Sequence, residues 1–504
     1  RINSRKTGMA KPNVCVVGVG SVGLAAIHWS LSRGFNVQAF ERNDGCGGVW
    51  KHAEPPSHSP AYDSLFTNSS SPLMNLSDYP FPFKESVFPH HSEILRYYKS
   101  YEKAFHLDHH VQYNVTVTNI SKDGKKWVVT VNDAQEYTFD AVMVCTGKLW
   151  DKRLPDWFQS VPDTIDKLHS KDYRNPERFR GKTVLVVGTG NSALDIALEL
   201  SLKDDVQVYI SCRRGTTILP TKDAHGRPTD QKIGSRFFQY ILPKTLRGYH
   251  FMSLIKDVND SFVQAGMPTP PGGMFSTRSP LSNLKQTQPF LEQMKRGRIR
   301  FVSGCSGSFV GENGVCLNDG SVLGVDAIVC CTGYTLQLDK FLAPNLCDEI
   351  CKVSEWKDEK RSVSWLRLYK GIMYPKDPTL CFLGFITSFG NETCIGEMQA
   401  RWATGLLAGQ FPFPTGDKVE QDLKQTEDYL ERTKPSVSGF VRYVKYMDSL
   451  ASDLACKPSF LDVAKFVDPV LLYRFYFGPV VPAHYRLIGK DALSQAPLWV
   501  KSRL

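Results

Sequence analysis

The chain contains 504 residues, of which 42% are apolar and 22% are charged. That length predicts two or three domains, and the composition excludes both wholesale disorder and a protein with many membrane spans. The 61 basic and 51 acidic residues give a net charge of +10, which suits anionic ligands or an anionic surface. The basic residues are too dispersed to indicate a nucleic-acid-binding protein.

The ends and the cysteines indicate a reducing compartment. Arg1 to Gly8 is polar and basic with no apolar segment behind it, so we expect a tail outside the fold and no signal peptide. The 13 cysteines are scattered, which predicts reduced thiols. The most apolar stretch, residues 466–482, is interrupted by charges and prolines, so no membrane anchor is predicted. We therefore expect a cytoplasmic protein or one on the cytoplasmic face of a membrane.

The first predicted elements form a β-α-β unit. Asn13 to Gly18 is an apolar strand, Ser21 to Arg33 has helical periodicity, and Asn36 to Glu41 is a second strand. The intervening loop, Gly18 to Gly23, has the G-x-G-x-x-G pattern. Such a loop presents free N–H groups at a helix N-terminus to a pyrophosphate, so this unit is predicted to bind a dinucleotide.

The residues after the second strand favour FAD as the first dinucleotide. Glu41 lies 23 positions after Gly18, where a carboxylate accepts hydrogen bonds from a ribose diol and repels a 2′-phosphate. A glycine pair then precedes Trp50, whose ring can wall an isoalloxazine. The predicted contacts of this nucleotide are Gly18, Gly20, Ser21, Val22, Gly23, Glu41, Gly48, Val49 and Trp50.

The same pattern returns in a second β-α-β unit. Thr183 to Gly188 is a strand, Asn191 to Lys203 carries one apolar helical face, and Val206 to Cys212 is the next strand. Its loop contains Gly188, Gly190, Asn191, Ser192 and Ala193. The second strand ends in Ser211, Cys212, Arg213 and Arg214 instead of a carboxylate. Arginine pairs with phosphate at two points, so this unit is predicted to bind NADPH.

Two further strands and a loop complete the predicted organisation. Residues 140–147 and 326–333 both read as buried strands that end in a small-residue turn, and residues 267–273 read as a loop. We expect an FAD-binding domain with a first segment over 9–175, an NADPH-binding domain over 176–325, and a second FAD-binding segment over 326–504. The expected fold class is thus α/β, with two Rossmann-like dinucleotide-binding domains, the NADPH domain being inserted into a discontinuous FAD domain.

Motifs along nearly the whole chain, from about Asn13, resemble the flavin-containing monooxygenases, and the animal-type members of these class B flavoprotein monooxygenases most closely. The matching runs are GVGSVG (18–23), ERNDGCGGVW (41–50), YDSLFTN (62–68), YPFP (79–82), GTGNSALDIALEL (188–200), SCRRG (211–215), CTGY (331–334), EMQARWA (397–403) and FGPVVPAHYRL (477–487).

The resemblance implies an NADPH- and O₂-dependent monooxygenase. Such an enzyme oxygenates soft nucleophilic nitrogen or sulfur centres of small molecules through a C4a-hydroperoxyflavin, so N-oxidation or S-oxidation of an amine or sulfide is expected. By the same resemblance, Asn68 is the active-site residue and Thr67 and Ser69 flank it. Ser192, Leu194 and Asp195 are expected beside the NADP pyrophosphate, and Gln399 near the flavin.

Two departures from the family pattern concern the regions around the substrate and the NADPH linker. His169 to Tyr173 fits the second half of the F-x-G-x-x-x-H-x-x-x-[YF] motif, but Asp163 and Ile165 stand where Phe and Gly are expected. Ser71 and Pro72 replace the usual Lys-Glu pair. Neither departure touches a glycine loop.

Other functions remain as alternatives. A Baeyer–Villiger oxygenase or an NADPH oxidase would use the same cofactors, and a non-catalytic flavin-binding scaffold belongs to another class. The cysteine pair Cys347 and Cys351 lacks the position of a redox centre beside the first unit, which disfavours a disulfide reductase. No metal is expected, because adjacent histidines such as His90 and His91 should point apart. Oligomerisation and peripheral membrane contact are left open.

Overall fold

The structure, a computed structural model, describes residues 11–53, 59–270, 281–356, 361–388, 392–434 and 439–502. The expected tail over residues 1–8 and the second half of the expected loop over 267–273 lie outside these ranges. Within them, no helix is both long and apolar enough to cross a membrane.

The helices and strands are numbered in chain order. The first third contains β1 (Asn13–Val17), α1 (Ser21–Ser32), β2 (Asn36–Glu41), α2 (His91–Ala104), β3 (Val111–Tyr113), β4 (Val117–Asp123), β5 (Lys126–Val131), β6 (Gln135–Phe139), β7 (Ala141–Val144), β8 (Asp151–Lys152) and β9 (Asp166–His169).

The middle third contains β10 (Thr183–Val187), α3 (Asn191–Ser201), β11 (Gln207–Cys212), β12 (Thr217–Pro220), α4 (Thr229–Ile233), α5 (Lys244–Gln264), β13 (Leu281–Leu284), α6 (Thr287–Lys295), β14 (Ile299–Ser303), β15 (Cys305–Val310), β16 (Gly314–Leu317), β17 (Val322–Gly324) and β18 (Ala327–Cys330). A π-helical turn, Phe237–Ile241, precedes α5.

The last third contains β19 (Tyr334–Thr335), α7 (Pro344–Ile350), β20 (Cys351–Trp356), β21 (Arg361–Leu366), β22 (Leu380–Phe382), β23 (Thr387–Ser388), α8 (Glu392–Leu407), α9 (Gly416–Thr433), β24 (Phe440–Val441), α10 (Tyr443–Asp453), α11 (Phe460–Ala464), α12 (Pro469–Phe477) and α13 (Ala496–Ser502).

The first unit is built on a parallel sheet in the order β22-β7-β1-β2-β3. Its central strands β1 and β7 and the neighbouring β22 are apolar and almost fully buried because both faces of the sheet are covered there. On β1, Val14 and Val16 face a core that includes α1 and α8, whereas Cys15 and Val17 face a core shared with β4–β6 and α7.

The second unit is built on a parallel sheet in the order β14-β11-β10-β18-β9. Helices α3 and α6 cover one face, and the three-stranded sheet β15-β16-β17 packs near the other. Both predicted β-α-β units are present, and the strand bounds agree with the expected ones to within a residue.

Two strands fall outside the expected 176–325 range of the second unit. Strand β9 pairs with β18, and β18 pairs with β10, so residues 166–169 and 327–330 belong to the second sheet. The chain therefore enters this sheet before residue 176 and leaves it after residue 325. The division into domains stays a proposal, with its boundaries moved to about residues 165 and 331.

The 13 cysteines all lie in the described residues and are free thiols. The sulfur atoms of Cys347 and Cys351, the pair considered in the sequence analysis, are 3.5 Å apart at the end of α7. Neither is near the first glycine loop.

Candidate functional site

The first glycine loop is shaped by close backbone contacts. Gly18 has φ +90°, and its N–H donates to the Phe40 carbonyl at 2.8 Å, which fixes the loop against β2. A Cβ on Gly23 would lie 1.9 Å from the Gly18 carbonyl oxygen, so only glycine lets α1 start this close to the loop. Gly20 and Gly48 face each other: a Cβ on Gly48 would lie 3.1 Å from the Gly20 Cα.

Glu41 is buried and lines the cavity beside this loop. Its Oε2 accepts a hydrogen bond from Val19 N at 2.7 Å, and its Oε1 accepts two from the Asn43 N and Nδ2 at 2.9 and 2.7 Å. A carboxylate has about four acceptor sites, so Oε2 keeps one for a ligand hydroxyl. The carboxylate therefore holds the loop and keeps an acceptor site free, and its contact with a ribose stays a prediction.

The second glycine loop repeats this geometry with a different residue at the ribose position. Gly188 has φ +120°, and its N–H donates to the Ser211 carbonyl at 3.1 Å, as Gly18 does to Phe40. The register places Cys212 where Glu41 stands in the first unit. The second unit therefore has no carboxylate at this position, and Arg213 and Arg214 come next in the chain.

Both loops open into one cavity of about 1240 Å³. Single drug-sized ligands occupy roughly 300–1,000 Å³, so the volume suits a larger set of ligands. The predicted site residues that line it are Gly18, Gly20, Ser21, Val22, Glu41, Gly48, Val49, Trp50, Thr67, Asn68, Ser69, Asn191, Ser192 and Asp195.

The remaining predicted residues do not line the cavity. They are Gly23, Gly188, Gly190, Ala193, Leu194, Ser211, Arg213, Arg214 and Gln399. Ala193 and Leu194 are fully buried where α3 packs on its sheet. Ser211 is used within the unit, since its Oγ accepts from Cys305 N at 2.8 Å. Arg213 is exposed just beyond the end of β11.

Gln399, which the resemblance places near the flavin, lies behind the cavity wall. Its side chain is fully buried, its Oε1 accepts from Gly384 N at 2.8 Å, and its Nε2 donates to the Tyr446 hydroxyl at 2.8 Å. Gly384 lines the cavity, so Gln399 reaches the site through that backbone N–H rather than by its own side chain.

Asn68 combines exposure to the cavity with an unsatisfied polar atom. Its Oδ1 is buried and has no hydrogen-bond partner among the described residues. The neighbouring Thr67 is fixed, because its N–H donates to the Pro89 carbonyl and its Oγ1 donates to the Ser69 carbonyl, both at 2.9 Å. A buried amide oxygen without a partner is a costly arrangement that a bound ligand would relieve.

Polar side chains at the cavity wall or directly behind it were missed by sequence reasoning. Asp230 of α4 lines the cavity, and burial raises the pKa of its carboxyl, partly offset by hydrogen bonds from Ser70. Lys285 pairs with Asp195 at 3.1 Å. The Tyr62 hydroxyl donates to the same Asp195 at 2.9 Å. Only Tyr62 had a signal, within the YDSLFTN run, because an isolated polar residue in a loop or a short helix leaves no pattern.

The adjacent histidines do not point apart as expected. The rings of His90 and His91 are 4.2 Å apart, since His90 is the extended cap of α2 and His91 its first residue. Burial, aided by the charges of His90 and His52, lowers the pKa of His91 to about 4. Within the described residues, no cluster of three or more His, Cys, Asp or Glu side chains is arranged to hold a metal.

Known proteins resemble this chain over almost its whole length. The model of the flavin-binding monooxygenase-like family matches residues 11–497. Flavin-containing monooxygenase 5 of Oryctolagus cuniculus is 33% identical, over 98% of this chain and 93% of the relative. Dimethylaniline monooxygenase [N-oxide-forming] 2 of Rattus norvegicus is 32% identical, over 94% and 88%.

A solved structure shares the fold. S-allyl-L-cysteine S-oxygenase from Allium sativum superposes with a TM-score of 0.61 at 22% identity, covering 88% of each chain.

Proposed function

The chain belongs to the flavin-binding monooxygenase-like family and is an FAD- and NADPH-dependent monooxygenase; from that premise we propose that it oxygenates soft nucleophilic nitrogen or sulfur centres of small molecules. The overall reaction consumes NADPH, a proton and O₂, and yields NADP⁺, water and the N-oxide or S-oxide. When bound, the flavin supplies the redox and oxygen chemistry that no protein side chain provides.

One observation carries the proposal. The walls of a single cavity include Asn68 together with residues from both loops: Gly18, Gly20, Ser21 and Val22 from the first, and Asn191, Ser192 and Asp195 from the second and the helix that follows it. Two dinucleotides bound along these loops would therefore meet in one chamber, as hydride transfer between them requires. The Gly20–Gly48 cradle and the free acceptor site on Glu41 fit the first dinucleotide.

The residues of the chain bind, orient and exclude water. Glu41 binds the ribose diol of the first dinucleotide, whereas Arg213 and Arg214 lie at the ribose end of the second and bind its 2′-phosphate. Asn68, a neutral amide, orients the reacting groups by hydrogen bonds without adding charge. Apolar side chains such as Ile233, Phe251 and Leu383 line the rest of the chamber and exclude water, which limits loss of oxygen as hydrogen peroxide.

The test uses the purified full chain loaded with FAD. With NADPH and O₂, we expect dimethylaniline to give its N-oxide or S-allyl-L-cysteine its S-oxide, with NADPH consumption matching product. A lactone from cyclohexanone would instead assign a Baeyer–Villiger oxygenase. Hydrogen peroxide equal to NADPH consumed, with every substrate, would assign an oxidase. If no NADPH were consumed, the result would favour a non-catalytic flavin-binding scaffold.

The surface around α5, α11 and α12 supports a proposal about membrane contact. We define the basic apolar face by Ile241, Leu246 and Tyr249, which are exposed, and by the exposed residues of α11 and α12 beside them. The two regions are continuous, because the rings of Phe237 and Phe477 are 4.9 Å apart. Tyr249 is 74% exposed, an unusual state for so large a ring.

Positive charge borders this face. Lys445 lies 5.7 Å from the Tyr240 ring, and burial together with the charges of Arg442, Arg247 and Lys244 lowers the pKa of Lys445. Aromatic and apolar side chains next to grouped cations match an anionic lipid surface. We propose that this face binds a membrane peripherally.

Vesicle flotation tests this proposal. The chain should float with vesicles that contain phosphatidylserine and less with phosphatidylcholine alone, and the pair Leu246→Ser and Tyr249→Ser should abolish flotation. Val353→Ser, which changes an equally exposed apolar residue on β20, is the control. Flotation unchanged by the double substitution, or a dimer that the double substitution dissociates, would overturn membrane contact at this face.

A further inference from the structure

The segment that carries Asn68, residues 62–70, is bonded to its own unit along one side. Thr67 N donates to the Pro89 carbonyl, and His91 N donates to the Leu65 carbonyl, both at 2.9 Å. These backbone bonds hold the segment beside the strand-like residues that lead into α2. They leave the other side of the segment facing the second unit.

The second unit bonds to the segment on both sides of Asn68. Lys285 Nζ donates to the Phe66 carbonyl at 2.6 Å, two residues before Asn68. The two oxygens of Asp230 accept from Ser70 N at 2.6 Å and from Ser70 Oγ at 3.0 Å, two residues after it. Asn68 therefore sits midway between two anchors that both come from the second unit.

Lys285 is itself held by the second glycine-loop helix. Its ammonium pairs with Asp195 of α3 at 3.1 Å, and both side chains are largely buried. Asp195 also accepts from the Tyr62 hydroxyl at 2.9 Å, at the start of the Asn68 segment. The Asp195 carboxylate of α3 is thus linked to the Asn68 segment twice, directly through Tyr62 and indirectly through Lys285.

Burial of the Asp230 carboxylate destabilises the fold unless its hydrogen bonds compensate. Among the described residues its carboxylate has no cationic partner, and it is positioned at the cavity wall. Burying a carboxylate without a counter-charge costs free energy that hydrogen bonds must offset. Here those bonds go to Ser70.

We propose that Asp230 and Lys285 are positioning residues for Asn68. They fix the backbone on either side of it to the second unit, so the amide is aligned only when the two units are correctly set against each other. The proposal rests on the proposed monooxygenase function. It assigns no contact with substrate or cofactor to either residue.

Loss of either anchor should separate NADPH oxidation from oxygen transfer. A misalignment of about 1 Å at a reacting centre can cost on the order of 100-fold in rate. NADPH, a proton and O₂ would then give NADP⁺ and hydrogen peroxide instead of the oxygenated product and water. Both glycine loops would be untouched, so FAD content and NADPH binding should persist.

The experiment compares Asp230→Asn and Lys285→Met in the FAD-loaded full chain. Each should lower product formed per NADPH about tenfold or more and raise hydrogen peroxide to match, with the KM for NADPH within about twofold of the parent value. Lys285→Arg, which keeps a cationic donor, should restore coupling. Asp257→Asn and Lys295→Met, on exposed helix positions, are the controls.

A combination with Asn68→Ala separates positioning from general structural support. If the anchors act through Asn68, adding Asp230→Asn or Lys285→Met to Asn68→Ala should cause no further loss of coupling. An additive loss would overturn the proposal, as would loss of FAD or of folded protein in both single variants. Variants coupled as well as the controls would also overturn it. A parent enzyme that makes no product would instead count against the proposed function.

Discussion

At the scale of single residues, chemistry at the site is carried by few side chains. Asn68 supplies a neutral amide whose oxygen has no partner within the part of the chain that the structure describes, and Glu41 supplies one remaining acceptor site. Cys212 replaces that carboxylate in the second unit and is followed by two arginines. These differences, rather than the shared fold, separate the roles of the two units.

Asn68→Asp changes charge with almost no change in shape. We expect FAD content to remain and product formation to fall at least tenfold, because a carboxylate beside the reacting groups replaces a neutral donor and acceptor. Flavin absorbance and product yield measure the two effects. An unchanged rate of product formation would remove Asn68 from the site.

Arg213→Ala with Arg214→Ala should raise the KM for NADPH far more than the KM for NADH. Each lost charged hydrogen bond costs about 1.5–3 kcal/mol, and NADH has no 2′-phosphate to lose. Steady-state rates with both nucleotides give the comparison. Arg298→Ala, which removes an arginine paired with Asp204 on the surface, is the control. Equal losses with both nucleotides would contradict the phosphate role.

At the scale of elements, the glycines of the first loop have different roles. The carbonyl of Gly18 occupies the space of a Gly23 Cβ, whereas the nearest atom to a Gly20 Cβ is 3.7 Å away. Gly23 is therefore required by the folded chain itself. The folded chain leaves room for a side chain at Gly20, so on the proposed function it is the bound dinucleotide that requires glycine there.

Gly20→Val and Gly23→Ala should consequently fail in different ways. Gly20→Val should yield folded protein without bound FAD, because the side chain fills the approach to the pyrophosphate. Gly23→Ala should lower the melting temperature even of the FAD-free protein. Flavin absorbance and thermal unfolding distinguish them. A Gly20→Val protein that retains FAD would contradict the assignment of the first loop.

Elements with strong periodicity could be predicted from sequence, and the links between them could not. The strands and helices of both β-α-β units follow apolar patterns of fixed period, so β1, α1, β10 and α3 were placed to within two residues. Strands β9 and β18 have only four residues each, and nothing in so short a strand says which sheet it joins.

The same reason explains what was missed at the site. Asp230 and Ser70 are 160 residues apart in sequence, and Lys285 and Phe66 are 219 apart. A contact of that range leaves no local pattern. Gln399 was placed near the flavin by resemblance alone, and the structure puts its side chain one hydrogen bond away from the cavity wall.

At the scale of the whole molecule, two sheets are set so that their loops share one chamber. Polar contacts bridge them, since Asp195, Asp230 and Lys285 of the second unit bond to the segment around Asn68. Tyr62 and Leu65 of the same segment also pack against the apolar core of the second unit. On the proposal made above, the alignment of Asn68 depends on both units together.

Global stability should fall in mild acid because several histidines are buried. Burial lowers the pKa of His169 to about 4 and, with the charge of Arg236, that of His484 to about 3. The unfolded chain binds these protons near pH 6.5, so unfolding gains protons as the pH falls from about 6.5 towards 4. Stability is complete above that window and is lost within it.

Urea unfolding at several pH values measures this effect. His484→Gln should flatten the dependence between pH 6.5 and 4 by an amount on the order of 2 kcal/mol. His225→Gln, at an exposed position, should leave it unchanged. The same slope in both variants would contradict the burial argument.

The most direct test of the account is the anaerobic reduction of bound FAD by reduced nicotinamide nucleotides in a stopped-flow spectrophotometer. If two dinucleotides of opposite ribose preference meet in one chamber, NADPH should bleach the flavin rapidly and stoichiometrically, and NADH should do so far more slowly. Flavin that stays oxidised with NADPH, or equal rates with both nucleotides, would contradict it.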